Sequence, residues 1–372
     1  MKFIVSSSIL LKSLQKISGV ISSNTVLPIL EDFLFQIEDG KLKVFATDLE
    51  TSMSTELSVE AKENFKIAIP ARILTDILKT LPEQPVSISI DEVSFGIEIT
   101  SDNGKYKLAG ENGDDFPKMP SEQDATEVTI PADVLANAVN KTLFAVSSDE
   151  LRPAMTGMLW QFNEDGLVFV STDAHKLVRY ERKDIKGGNG NSIIVPKKAL
   201  NLLKSTLPHT DTPVKVAYDS SNAFIYFENS YLVCRLIDAR YPDYNAVIPT
   251  ENPNLLLINK DDFFSSMRRI AIFANKTTHQ VVLKMAGTEL SVSAQDLDFS
   301  NEASEKLVCE YKGNDLEIGF NAKFLLEMLG SLDGDEVKLE LSTATRAGIL
   351  RPAESDANED LLMLVMPVMI NN

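Results

Sequence analysis

One short phrase is written three times in this chain, and that repetition constrains the fold more than any other feature. "IAIPARILTDILKTL" (67–81) returns as "IVPKKALNLLKSTL" (194–207) and again as "IGFNAKFLLEMLGSL" (318–332). Each copy is an apolar run, a breaker or cap residue, then leucines at helical spacing, which predicts a strand feeding an amphipathic helix. Pro70 and Pro196 are 126 residues apart, and Asn321 takes the same place 125 residues further on. Two other landmarks keep that register. "KVFATDLE" around Asp48 returns as "VFVSTDAH" around Asp173 and "SVSAQDLD" around Asp296. The openings "KFIVSSSILLKSLQKI", "VTIPADVLANAVNKTL" and "LLINKDDFFSSMRRIAI" are each a short strand running into a helix.

A period this long exceeds that of solenoid repeats, so each copy is expected to be a whole domain. Turn formers gather in "DDFPKMPSEQDAT" and "YPDYNAVIPTENP", which sets the expected domains at 1–122, 123–250 and 251–372. Within a copy the helices are few and the alternating runs many, as in "DFLFQIEDGKLKVFATD". The predicted class is α+β, with two helices packed on antiparallel sheet in each domain.

The chain has 372 residues, with room for three such cores. Its N-terminus briefly imitates a signal peptide, but Lys12 interrupts the apolar run and no small-residue cleavage site follows. Cys234 and Cys309 lie in strand-like apolar surroundings and are expected to be reduced, buried thiols in a cytoplasmic protein.

A net charge of −18 argues against a generic nucleic-acid binder. The charge is nevertheless segregated: the six predicted helices, with Lys276 included, carry +8 and the remainder therefore −26. A mildly positive helical surface on an acidic body suits sequence-independent contact with phosphates. Lysine is also a helix-favouring solvated residue, and the tally alone does not separate the two readings.

The motifs "STDAHKLVRYE", "RLIDARYPDYNAVIP" and the terminal "LVMPVMI", in that order on a threefold repeat, resemble the bacterial DNA polymerase III beta subunit, the sliding-clamp family. The resemblance implies the DNA clamp fold, a head-to-tail homodimeric ring, and a processivity function with no catalysis and no cofactor or metal. It implies DNA-facing cations at Arg72, Lys197, Lys198, Lys12, Arg268 and Arg269, and a dimer contact through Tyr106, Leu108, Ile272 and Phe273. Asn24 and Asp149 stand where some members carry polar or basic DNA-facing groups. A partner-peptide pocket is implied at Met155, Thr172, Ala174, His175, Lys176, Leu177, Pro242, Val247, Leu364, Val365, Met366, Pro367 and Val368. Partners implied are double-stranded DNA, the polymerase III catalytic subunit, the clamp loader, and mismatch-repair and translesion polymerases, with no membrane.

The chain departs from the family pattern at Ala174, where glycine is usual, at Lys176 and Ala246, where arginine is frequent, and in its "MPVMINN" ending. Two competing readings are a peptide-binding scaffold that never encircles DNA and a metal-dependent hydrolase centred on Asp173 and His175. Against the second, the chain has three histidines in all, and His209 and His279 lack ligand spacing.

Overall fold

The computed structural model describes residues 1–22, 27–122, 124–188 and 190–370, so Asn24 lies outside the described residues. The repeating element is half as long as the sequence suggests. Six times the chain forms one strand, one helix and three further strands. The first unit is β1 (Lys2–Ser6), α1 (Ser7–Ser18), β2 (Asp32–Glu38), β3 (Lys41–Thr47) and β4 (Thr51–Ser58). The second is β5 (Phe65–Pro70), α2 (Ala71–Thr80), β6 (Pro85–Ile90), β7 (Gly96–Thr100) and β8 (Lys105–Ala109). The third is β9 (Thr126–Pro131), α3 (Ala132–Thr142), β10 (Gly157–Asn163), β11 (Gly166–Thr172) and β12 (Lys176–Arg182). The fourth is β13 (Asn191–Pro196), α4 (Lys197–Thr206), β14 (Pro213–Tyr218), β15 (Asn222–Phe227) and β16 (Ser230–Arg235). The fifth is β17 (Asn254–Asn259), α5 (Lys260–Ile270), β18 (Gln280–Ala286), β19 (Glu289–Asp296) and β20 (Asn301–Val308). The sixth is β21 (Leu316–Asn321), α6 (Ala322–Ser331), β22 (Glu336–Leu341), β23 (Gly348–Pro352) and β24 (Glu359–Val365).

The helices form where apolar residues recur three and four apart. In α2 the buried set is Ala71, Leu74, Thr75 and Leu78, and in α6 it is Ala322, Leu325, Met328 and Leu329. Asn321 replaces the proline of the other copies for a local reason. Its side chain accepts a hydrogen bond from the Lys323 amide at 2.9 Å and caps the helix. Pro70 acts instead through its fixed φ of −51° at the strand-to-helix corner.

Units are joined in pairs by exchange of first strands. β1 pairs with β6 and β5 with β2; β9 pairs with β14 and β13 with β10; β17 pairs with β22 and β21 with β18, all antiparallel. A unit alone would lack the strand that completes its sheet, so the three-domain fold predicted from the period stands on paired half-domains. Lys276 falls beyond α5 and the turn that follows it, which lowers the helical charge from the predicted +8 to +7.

The chain divides into two compact bodies that cut across the predicted domains. One comprises Met1–Ala136 with Lys198–Leu236, the other Asn137–Lys197 with Ile237–Asn372. In the first body, β4 pairs with β16 over five residue pairs and fuses two sheets into a nine-stranded one. In the second, β12 pairs with β24 over seven. These seams explain the cut: a continuous ladder binds neighbouring copies as firmly as strands within one. Of the six strands that end a unit, two are left at sheet edges, β8 in the first body and β20 in the second.

Cores are filled by Phe3, Phe33 and Phe35 in the first body and by Trp160, Phe169 and Tyr180 in the second, none more than 1% exposed. Cys234 and Cys309 are buried and unpaired, and burial pushes the Cys234 thiol up to about 12. Among the described residues, no helix is long and apolar enough to cross a membrane.

Candidate docking groove and helical surface

Between β11 and β12 the chain must reverse within a few residues, and Asp173 makes that turn. Its Oδ1 accepts hydrogen bonds from the amides of His175 and Lys176, both at 2.9 Å. Thr172 Oγ1 donates to the Lys176 carbonyl at 2.8 Å and accepts from the Ala174 amide at 3.1 Å. Ala174 sits at φ +75°, the left-handed region. That explains why glycine suits this place, and the alanine costs about 1 kcal/mol there. Asp173 and His175 are therefore a turn former and an exposed side chain rather than a ligand pair. Among the described residues, no group of three or more histidine, cysteine or carboxylate side chains is placed to hold a metal.

Four segments converge on one apolar cluster beside this turn. Leu177 and Leu364, each 2% exposed, face each other across the β12–β24 seam and pack with Leu159, Val170, Ile194 and Ile349. Ala154, beside Met155, packs on the cluster, as do Tyr241, Tyr244 and Ile248 from the segment after β16. Two tyrosines pin that segment: Tyr241 donates to the Val170 carbonyl at 3.2 Å and Tyr244 to Gln161 Oε1 at 2.6 Å. The C-terminal segment is held by the Met366 amide donating to the His175 carbonyl at 2.9 Å. The Val368 amide donates to the Gly319 carbonyl at 2.8 Å. A Cβ on Gly319 would lie 2.5 Å from the Val368 oxygen, so only glycine admits this strand so close.

The pocket residues expected from sequence thus separate by depth. Thr172, Leu177, Leu364 and Val365 are buried floor. Val247 and Met366 are exposed at 55% and 41%, and Met155, Pro242, Pro367 and Val368 are half-buried. Lys176, expected on the polar rim, is 6% exposed and points inward. Its Nζ lies 2.6 Å from Glu327 Oε2, 3.4 Å from Asp173 Oδ2, and 4.4 Å from the Phe324 ring centroid. The His175 ring lies 6.2 Å from that of Phe324, nearly parallel. Phe324 and Glu327 on α6 and Tyr241 and Tyr244 are site residues that sequence reasoning missed. Phe324 left one trace, an aromatic one position off the buried stripe of α6. The tyrosines flank Pro242 in the quoted motif.

The helical cations separate in the same way. Lys12, Arg72 and Arg268 are exposed, with the Arg268 guanidinium 5.8 Å from the Phe264 ring. Lys197 donates to Ser148 Oγ at 3.1 Å. Lys198 is bound at 2.5 Å to Asp48 and at 2.6 Å to the Val20 carbonyl. Arg269 holds Glu305 of β20 through two bonds of 2.7 and 2.6 Å, which keeps that carboxyl below its usual range. Lys141 is buried against Glu359 and Asp333. Asp149 bonds Arg152. Tyr106 and Leu108 form the half-buried row of β8, while Ile272 and Phe273 are exposed at 65% and 38% on a short turn after α5.

Six strand-exchanged units, with helices that carry exposed cations, define a clamp-type fold. Three domain descriptions of one family match it in order. They are the N-terminal, central and C-terminal domains of the DNA polymerase III beta subunit, at residues 1–120, 129–243 and 245–368. The chain is 29% identical to the beta sliding clamp of Escherichia coli (strain K12), over 99% of this chain and 100% of that protein. It is 26% identical to that of Bacillus subtilis (strain 168), over 99% of both. Crystal structures of the DNA polymerase III beta subunit from Pseudomonas aeruginosa and the sliding clamp from Bacillus subtilis cover both chains completely. They match with a TM-score of 0.93 each, at 28% and 25% identity. The chain belongs to the DNA polymerase III beta subunit family, the beta sliding clamps, non-catalytic subunits that make a DNA polymerase processive.

Proposed function

We propose that two copies close head to tail into a ring around duplex DNA, each through β8 on β20 of the other. One observation carries this reading. At both seams within the chain, the last strand of one unit (β16 or β24) pairs antiparallel with the last strand of another (β4 or β12). β8 and β20 are the corresponding strands that stand at sheet edges, each with one side open among the described residues. A heterologous contact of this kind closes after two copies and leaves neither of these edges open. The faces suit each other. Tyr106 and Leu108 would meet Ala303 and Leu307 beside Ile272 and Phe273, while Lys105 and Lys107 would meet a row containing Glu302.

The three domains are taken to divide near residues 122 and 250, in keeping with the matched ranges. Lys12, Arg72, Lys197, Lys198, Arg268 and Arg269 are the candidates for lining the channel; the exposed Lys12, Arg72 and Arg268 are the best placed to reach phosphates. Retention is then topological, and an acidic chain can hold DNA with few phosphate contacts. The groove beside the β11–β12 turn would receive extended segments with apolar anchors from the polymerase catalytic subunit, the clamp loader, and mismatch-repair and translesion polymerases in the cytoplasm.

The test is loading onto nicked circular DNA with a clamp loader and ATP, followed by a single restriction cut. Protein retained on the circle and lost from the linear form is linked topologically. Equal retention on both would overturn the ring.

A further inference from the structure

The docking groove of the second body has a counterpart in the first. Ile29, Leu34, Ala68 and Phe116 form a buried cluster, with Phe45 half-buried against it. A short helical turn at Pro28–Glu31 matches the one at Pro153–Thr156, which puts Ile29 in the place of Ala154 and Leu34 in that of Leu159. Phe45, Ala68 and Phe116 stand where the groove has Val170, Ile194 and Tyr241. The reversing turn is built alike. Asp48 Oδ1 accepts from the amides of Glu50 and Thr51 at 3.0 and 2.6 Å, as Asp173 does from those of His175 and Lys176. The Arg235 amide donates to the Glu50 carbonyl at 2.8 Å, as the Met366 amide does to that of His175.

The lip is where the two part. Leu49 takes the place of Ala174, at φ +78° against +75°, and is 55% exposed. Left-handed backbone costs a leucine about 1–2 kcal/mol, and here it holds a large apolar side chain out in water. Leu27, 45% exposed, stands where the other groove has Arg152. Phe45 and Ile29 are larger than Val170 and Ala154, which fills the floor further and leaves a shallower groove. The charge differs as well. Glu31, Glu111 and Asp115 lie exposed on the segments that build the lip, and none makes an ion pair among the described residues. Glu31 and Glu111 both lie close enough to the buried Asp32 to act on its carboxyl. Against them stands exposed Lys118, while Arg235 is taken by Glu50 at 3.5 Å.

We propose that this is a second docking groove, which takes an extended basic segment of a partner protein. One apolar side chain of that segment packs over Leu27, Leu49 and Phe45, and flanking lysine or arginine meets Glu31, Glu111 and Asp115. Charge complementarity selects this occupant, since the same carboxylates repel nucleic acid and anionic lipid. The second groove rests on the docking reading of the first, whose anatomy it repeats, and gives each chain two grooves of different preference. A shallower floor and an exposed acidic lip make it the weaker and the more salt-sensitive of the two.

Fluorescence anisotropy on the full chain tests this with two dye-labelled probes, the peptide KKLFKK and an extended polymerase-derived peptide. Circular dichroism checks folding. KKLFKK is expected to bind, and KKSSKK to bind about tenfold or more weakly. Leu49→Gly suits the backbone angle, so it keeps the turn while deleting the lip. Combined with Leu27→Ser, it is expected to weaken KKLFKK by about tenfold and to leave the polymerase-derived peptide unchanged. Removal of Met366–Asn372 is expected to do the reverse. If the polymerase-derived peptide binds and KKLFKK does not, the second groove is overturned and the first stands. The same follows if KKLFKK binds the Leu27/Leu49 variant as well as the parent, or if the two probes compete for one site. If neither probe binds the folded chain, both grooves are overturned.

Discussion

Asp32 opens β2 from a position 6% exposed, in register with Pro70, which has no amide proton to offer it. Burial, then the nearby Glu111 and Glu31, push its carboxyl from an ordinary 3.8 to about 7. The unfolded chain releases this proton near pH 4, whereas the folded chain keeps it to about pH 7. Between those values the folded state binds more protons, so stability contributed here falls as pH rises and then levels. Asp32→Asn removes the ionisation. The variant is expected to resemble the parent at pH 4–5 and to exceed it at pH 8 by on the order of 2 kcal/mol, read as the midpoint of urea unfolding at the two pH values. A variant less stable than the parent at pH 8 would show that the carboxylate is held charged. At this scale the sequence was readable where a residue type has one backbone use. Ala174 stands where glycine is usual, and its φ of +75° supplies the reason. It was unreadable for lysines. Nothing in "DAHKLV" tells a rim lysine from Lys176 buried on Phe324 and Glu327, because the partners lie some 150 residues away. Lys198 is the same case, its carboxylate Asp48 coming from the first copy.

Elements were legible in proportion to their landmarks. All six helices and the threefold period follow from the spacing of apolar residues and from the recurring Pro/Asn and Asp positions. The sixfold half-repeat was marked by little more than the residue at each strand-to-helix corner. Pro131 and Pro196 in the second copy and Asn259 and Asn321 in the third are too short a signature to stand out beside the long phrases of the threefold period. Strand exchange was hidden too, since pairing partners are set by tertiary packing and not by alternation along one strand. The C-terminal segment shows what this changes. Leu364 and Val365 belong to β24 and pair with Leu177 and Lys176 across a seam that Arg179, Asp360, Arg351 and Glu340 also lace on its charged side. Removing residues from Leu364 onward would therefore cut the seam itself and confuse loss of the groove with loss of the fold. Removal of Met366–Asn372 instead deletes the segment tied through the His175 and Gly319 carbonyls. The expected outcome is a dimer of unchanged mass whose affinity for an extended polymerase-derived peptide falls by tenfold or more, measured by fluorescence anisotropy. Peptide affinity that survives this truncation would place the docking groove elsewhere.

For the molecule as a whole, the balance of charge decides how it can meet DNA. A net −18 makes approach from most directions unfavourable, and the helical cations are fewer in effect than in count. Lys141 and Lys198 are consumed by carboxylates within the chain, and Arg269 serves Glu305 on β20. Part of the helical charge therefore serves the fold, since Lys141 and Lys198 fasten units together and Arg269 braces α5 on β20 of its own unit. What remains exposed is sparse and carries no base-reading geometry, as suits a surface that must slide. Lys12 and Arg268 are two of the exposed cations that neither seam uses. Their joint replacement, Lys12→Ala with Arg268→Ala, is expected to leave dimer mass and groove affinity unchanged. Removing one cation from a phosphate makes the fall of log affinity with log salt shallower by about 0.9. The double variant on circular DNA should therefore show a slope shallower by roughly 2–4, two copies contributing, and by the same amount on any sequence. A defect confined to some sequences would mean that bases are read. An unchanged slope would move the DNA path away from α1 and α5.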